Sequence, residues 1–231
     1  MKSRLRHDTI AAIFDGVQVA LVSNMLLVLG GLPLVLLAFT TDTARSWPLC
    51  ALAAPLCAPG LCGVFAVMSA HTAGRGGSTR AGPAATSTDG ALRTFGRTWR
   101  ATARPAMLWA AAATAVLVVL GVDARAAWGH RIGALALPVL AMLALLTVAT
   151  ALLGLVTIAE RPAARLRDVA RACLYLGVRR WYLTGASLLV LALLAQFVAA
   201  RPALGLGLAA APLLYVVWAN TRWSLRPALD T

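Results

Sequence analysis

Acidic residues are the scarcest class in this chain: eight Asp and Glu stand against 21 Lys and Arg in 231 residues. All eight (Asp8, Asp15, Asp42, Asp89, Asp123, Glu160, Asp168 and Asp230) lie at or beyond the ends of apolar stretches. Histidine is limited to His7, His71 and His130, at different edges and depths. No His–carboxylate pair, Ser-His-Asp set or phosphate-binding loop can be assembled, so the chain is not expected to be an enzyme. Nor does any charge stand near the middle of an apolar stretch, where an ion-coupled carrier usually keeps one. The four cysteines, Cys50, Cys57, Cys62 and Cys173, form no C-x-x-C and have no His or carboxylate at ligand spacing. They read as small hydrophobes, and neither metal nor cofactor is expected. Lysine is almost missing too: Lys2 is the single one, and the other basic residues are Arg. That imbalance is a mark of GC-rich genome composition rather than of guanidinium chemistry at each site.

What fills the chain instead is hydrocarbon. Hydrophobic residues make up 60% and charged residues 13%, about half the charged share of an ordinary soluble domain. Six apolar segments can be drawn, over 17–39, 47–70, 106–122, 132–159, 182–199 and 203–219. Most approach the ~20 residues that a bilayer-crossing helix needs. The expected fold is all-α: one polytopic membrane bundle of about six transmembrane helices, with amphipathic cytoplasmic elbow helices; for the weaker last two segments, joined by Arg201-Pro202, a five-helix count or a re-entrant hairpin is the alternative. The intervening segments 1–16, 71–105, 160–181 and 220–231 hold 17 of the 21 basic residues. Basic loops resist translocation, so these segments are expected to be cytoplasmic, with both termini inside a bacterial inner membrane. The basic start, Lys2, Arg4 and Arg6, precedes an apolar run too long for a cleaved leader, so the first helix is expected to be retained. The net charge of +13 is spread through loops beside apolar segments. It points to anionic headgroups of the bilayer and not to nucleic acid.

Local signals refine the outline. Pro33 in the first segment and Pro55 and Pro59 in the second each remove a backbone donor, so kinks or breaks are expected there. Residues 74–90 are rich in Gly, Ser, Thr, Ala and Pro and read as a linker. Asp89 can cap the helix that follows. Arg93, Arg97, Arg100 and Arg104 then fall on one helical stripe, with Leu92, Phe95 and Trp99 on a roughly opposite face. This describes an elbow helix in the cytoplasmic interface, its aromatics in the lipid, turning at Pro105 into the third segment. In the stretch 161–180, Leu166, Val169, Cys173 and Leu176 make an apolar stripe, and Asp168 can pair with Arg171. LRTFGR (92–97) and LRDVAR (166–171) align both arginines, which permits a duplicated unit.

Among polar groups inside the segments, Asn24 is the best intramembrane contact. It is expected to hydrogen-bond a neighbouring helix. Together with Ser23, Thr147 and Thr150 it could instead line a path for a polar uncharged solute. The seven tryptophans mostly flank apolar segments, as an aromatic belt does. Gly30-Gly31 and Gly205-x-Gly207 permit close helix contact.

Asn24, Pro33, the run Ala-Pro-Gly-Leu-Cys-Gly-Val-Phe (58–65) and Thr94, Phe95, Arg97, Trp99, Arg100 and Arg104 together resemble the YesL family of bacterial integral membrane proteins. The resemblance covers most of the first half of the chain and, in the second half, the general layout. The chain departs from it in two places: Leu34–Leu37 continues the apolar run where the family often has Thr, and Gly96 stands where a bulky residue is frequent. The resemblance implies no catalytic residues and an association with carbohydrate uptake and utilisation. The function expected is therefore that of an accessory membrane component meeting a transporter or other membrane-protein partner through its cytoplasmic helices. The alternative is a small permease, or a permease subunit, for a polar uncharged solute.

Overall fold

A computed structural model describes residues 2–42, 46–75, 88–130, 133–164, 166–179, 181–201 and 204–229. Most of the 74–90 linker, part of the 40–46 loop, Pro202 and the Leu176 and Trp181 side chains lie outside the described residues. Among the described residues eight α-helices follow one another: α1 (Lys2–Gly30), α2 (Leu32–Thr40), α3 (Trp47–Arg75), α4 (Thr88–Ala127), α5 (Gly133–Glu160), α6 (Leu166–Arg179), α7 (Trp181–Ala200) and α8 (Ala210–Leu229). A π-helical turn, Gly205–Ala209, leads into α8. No strand occurs among the described residues. Three helical stretches, Trp47–Ala73, Thr88–Ala127 and Leu135–Glu160, are long and apolar enough to cross a membrane; Gly16–Gly30 and Gly185–Ala200 are shorter apolar helices. Length and composition thus mark an all-helical membrane protein. Such chains keep their backbone in helices because hydrocarbon offers no partner for a free N–H or C=O.

Helix α3 is the centre of the bundle and packs against α1, α2, α4, α5 and α8. Its Cys62, Val64 and Phe65 are fully buried, together with Val156 and Ile158 of α5 and Val217 of α8. The α1–α3 crossing is a glycine contact: a Cβ added to Gly30 would stand 2.7 Å from the Gly60 Cα. Only hydrogen at both positions lets the backbones approach so closely. The Gly30-Gly31 expectation is met on its first residue. At the other end of the chain, Gly205 packs equally tightly on the Val198 backbone, 2.8 Å from a hypothetical Cβ.

The backbone of the polar residues 2–16 is the first part of α1. The break expected at Pro33 is present: the first apolar segment is interrupted at Gly31, and Pro33 stands in the first turn of α2, where a missing N–H costs nothing. Pro55 and Pro59 do not break the second segment, since α3 runs through both. Residues 57–60 around them are buried, so neighbouring helices cover the backbone that the prolines disturb.

The largest correction concerns the first elbow. No turn occurs at Pro105; α4 is continuous for 40 residues and unites the arginine stripe with the third apolar segment. At 1.5 Å per residue it is about 60 Å long, twice a ~30 Å hydrocarbon core. The second basic stretch does stand apart as the amphipathic α6, with Val169 and Cys173 buried and Arg167 and Arg171 exposed. The two halves therefore differ where a duplicated unit would match. Asp168 and Arg171 are both exposed and do not form the expected pair. Helices α7 and α8 make a hairpin, tied by Asn220 Nδ2 donating to the Leu183 carbonyl at 2.6 Å and to Ser187 Oγ at 2.7 Å.

Candidate functional site

The first half of α4 carries two opposed faces. Ala91, Phe95, Thr102 and Ala106 are buried, while Arg93, Arg97, Arg100 and Arg104 are all exposed. Spacings of four, seven and four on one side and four, three and four on the other place these sets about half a turn apart. None of the four arginines makes a salt bridge among the described residues. Trp99 flanks the basic face, 42% exposed, with Leu92 on the same flank at 48%. Arg93, Arg97, Trp99 and Arg100 border a shallow, open groove along this surface.

Phe95 is not the lipid anchor that its sequence position suggests. Its ring fills the notch that the small residues of α1 and α3 leave: a Cβ on Gly63 would stand 2.5 Å from it, and one on Gly30 3.7 Å. Trp109 is similarly turned inward. It lies against Gly154, and its indole Nε1 donates to the Ala151 carbonyl at 3.0 Å. Trp218, 2% exposed, stacks beside Tyr215 with centroids 5.5 Å apart. Above Trp218 sits the Arg222 guanidinium at 5.3 Å, and Arg222 Nε also meets Glu160 Oε1 at 3.3 Å. Trp47, Trp99, Trp128 and Trp223 are exposed, as belt residues must be, whereas Trp109 and Trp218 are turned inward. An indole N–H facing hydrocarbon needs a partner; Trp109 finds one because the small Gly154 on the next helix admits its ring, while the buried Trp218 Nε1 has none among the described residues.

Asn24 joins α1 to the start of α8. Its Nδ2 donates to the Gly207 carbonyl at 2.7 Å, and its Oδ1 accepts from the Ala211 N–H at 2.6 Å. Gly207 and Ala211 are four residues apart, the acceptor and donor that an α-helical turn would pair with each other. The π-helical turn pulls them apart, and the amide side chain enters the gap and satisfies both. Pro212, next in sequence, has no N–H to continue the ladder. The expected contact to a neighbouring helix is therefore present. The polar set proposed around it is not assembled. Thr147 and Thr150 donate to the carbonyls of Leu143 and Leu146 in their own helix, at 2.7 and 2.9 Å. Ser23 is 1% exposed and its hydroxyl has no hydrogen-bond partner among the described residues.

The cysteines are free, with Cys57, Cys62 and Cys173 buried. On α6, burial pushes the Cys173 thiol up to about 11, against a smaller opposing effect of the Thr157 hydroxyl. A thiol so held stays protonated at neutral pH and packs as a hydrophobe. No group of His, Cys, Asp or Glu able to hold a metal exists among the described residues. No protein family, characterised protein or solved structure matches this chain.

Proposed function

We propose that the protein is a six-span component of a bacterial inner membrane, with both termini cytoplasmic, that serves as an accessory subunit rather than as an enzyme. Its partner surface is the basic face of α4, with Arg97, Trp99 and Arg100 as the central contacts. The observation that carries this reading is the exposure of all four arginines, without salt bridges, on a helix about twice as long as the hydrocarbon core requires. The charge-free stretch 106–122 belongs in lipid, so the arginine-bearing end is the part left over. The 17-to-4 division of basic residues between alternate segments supports a cytoplasmic position for it. There each arginine gains about 1 kcal/mol from an anionic leaflet, and the groove beside Trp99 remains for a partner. The YesL resemblance supplies the class of partner, a carbohydrate uptake or utilisation system.

Charge reversal tests the proposal. Arg93→Glu with Arg97→Glu, Arg100→Glu and Arg104→Glu should abolish recovery of a cross-linked transport component. It should also speed the reaction of a water-soluble maleimide with Leu92→Cys. Unchanged recovery together with unchanged labelling overturns it. A small permease, or permease subunit, for a polar uncharged solute is the weaker reading. The amide of Asn24 is fully engaged by Gly207 and Ala211, and Thr147 and Thr150 bond their own helix. Sugar uptake by the protein alone in liposomes would restore that reading.

A further inference from the structure

A groove of about 620 Å³ runs between the start of α3 and the end of α4, lined among others by Trp47 and Ala51 on one side and Leu117, Val118, Gly121 and Arg125 on the other. We propose that it holds one anionic phospholipid of the leaflet opposite the basic stripe, with the phosphate on the Arg125 guanidinium and an acyl chain along the α4 wall. The proposal rests on the placement of the stretch 106–122 in lipid and not on the partner surface.

Length, charge and access together point to that ligand. The α4 wall begins at Thr114 and ends at Arg125, a rise of about 16 Å at ~1.5 Å per residue. That is about half of a ~30 Å hydrocarbon core, the depth of one leaflet. Thr114 stands midway along the charge-free stretch 106–122, and Arg125 lies just past its end. The deep part of the groove is therefore at chain level and its cation at headgroup level. Arg125 is the one charged residue among the described lining residues. It is exposed and makes no salt bridge among the described residues. Asp123, two residues away, lies about half a turn round the helix and is not among the described lining residues. The guanidinium is thus free for a phosphate, which it can meet through two parallel N–H···O bonds. A zwitterionic lipid would bring its own cation beside Arg125; an anionic one does not. Across the groove Trp47 is half exposed, an amphipathic ring of the kind that sits at headgroup level. Access is open. Only 6% of the most apolar stretch of α4 is buried, and a Cβ added to Gly121 would meet nothing within 4 Å. The missing side chain leaves room in the wall at the height where the chain joins the headgroup.

The probe is phosphatidylglycerol bearing a diazirine in one acyl chain, photolysed with the full-length protein in phosphatidylcholine nanodiscs. Saturable labelling of the stretches 47–51 and 114–122 is expected. Unlabelled phosphatidylglycerol should displace it, and the same probe with a phosphatidylcholine head should need a higher mole fraction to label equally. Gly121→Trp fills the groove at a position with open space and should abolish labelling. Ala51→Trp should do the same from the facing wall and serves if the first variant does not fold. Arg125→Gln should raise the half-saturating fraction about 5-fold, the value of one interfacial arginine against anionic lipid, and Arg125→Lys should restore most of the loss. Arg201→Gln, an exposed arginine away from the groove, should change nothing. Labelling that does not saturate, that survives both tryptophans, that is indifferent to Arg125→Gln, or that is equal for the two headgroups overturns the proposal. So does a lipid-excluding dimer cross-linked through Gly121→Cys, which would put a second copy of the chain in the groove. Charge reversal of the basic stripe should leave this labelling unchanged, so this proposal and the partner proposal fail separately.

Discussion

Replacing Asn24 by Ala removes two hydrogen bonds at once, to the Gly207 carbonyl at 2.7 Å and from the Ala211 N–H at 2.6 Å. Hydrogen bonds inside membrane bundles average about 0.6 kcal/mol and reach about 1.7. The loss should therefore be about 1–3 kcal/mol. The upper figure applies if the π-helical turn keeps its shape and both backbone groups stay unpaired. The lower applies if the turn relaxes and the Ala211 N–H reaches Gly207 instead. Asn24→Leu separates volume from bonding, because it fills the site and restores neither bond. Asn24→Asp supplies the positive control. Its protonated carboxyl can donate to Gly207 and accept from Ala211, whereas the carboxylate repels the carbonyl. The variant should therefore match the parent at acid pH and lose stability as pH rises and the carboxylate forms. Reversible unfolding in bicelles, followed by steric trapping, measures each difference. If Asn24→Ala and Asn24→Leu both lose less than the average of one such bond, the clamp contributes nothing and the reasoning is refuted.

Glycine packing gives a second expectation. Gly63→Ala should cost about 1–3 kcal/mol through collision with the Phe95 ring, and Phe95→Leu should recover part of that in the double variant. Gly60→Ala meets backbone at Gly30, so no side-chain change on α4 should rescue it; equal rescue of both variants would refute the assignment. In a protein carrying Cys173 as its sole cysteine, a thiol held near 11 leaves about one thiolate in a thousand at pH 8. Maleimide should fail to modify it until the protein unfolds, and rapid native labelling would show that α6 is not docked. Stability should be complete below pH 9 and fall as pH rises through about 11, a slope that Cys173→Ala should flatten. A double-mutant cycle on Glu160→Gln and Arg222→Ala should give a coupling of about 0.5–1 kcal/mol, since the arginine side chain is 43% exposed. A zero coupling would mark the pair as incidental.

The helices themselves were legible from charge-free runs, because such runs in lipid have little choice but to close their own backbone bonds. The arginine stripe was legible for the same reason that any helical period is: 93, 97, 100 and 104 repeat at the pitch. What Pro105 does was not. A proline marks either an end or an interior position, and here the choice is made by packing, with Thr102 and Ala106 both fully buried on either side of it. The role of Phe95 was hidden because its socket is built from Gly30 and Gly63 on two other helices. The Gly60-x-x-Gly63 spacing was a usable hint. Asn24 was readable as an interhelical amide, while its partners depended on a π-helical turn that composition does not announce. Pro212, one residue beyond Ala211, was the nearest clue that the ladder there is disturbed.

The continuity of α4 has a mechanical consequence. A force applied at its basic end has no loop in which to dissipate before it reaches the far end, where Trp47 faces Val122 and Arg125 across a crevice. One rung of the backbone is missing at Pro105, yet the helix runs through it unbroken. A displacement of the basic end is thus carried along a single rod, in a helix long and apolar enough to cross a bilayer.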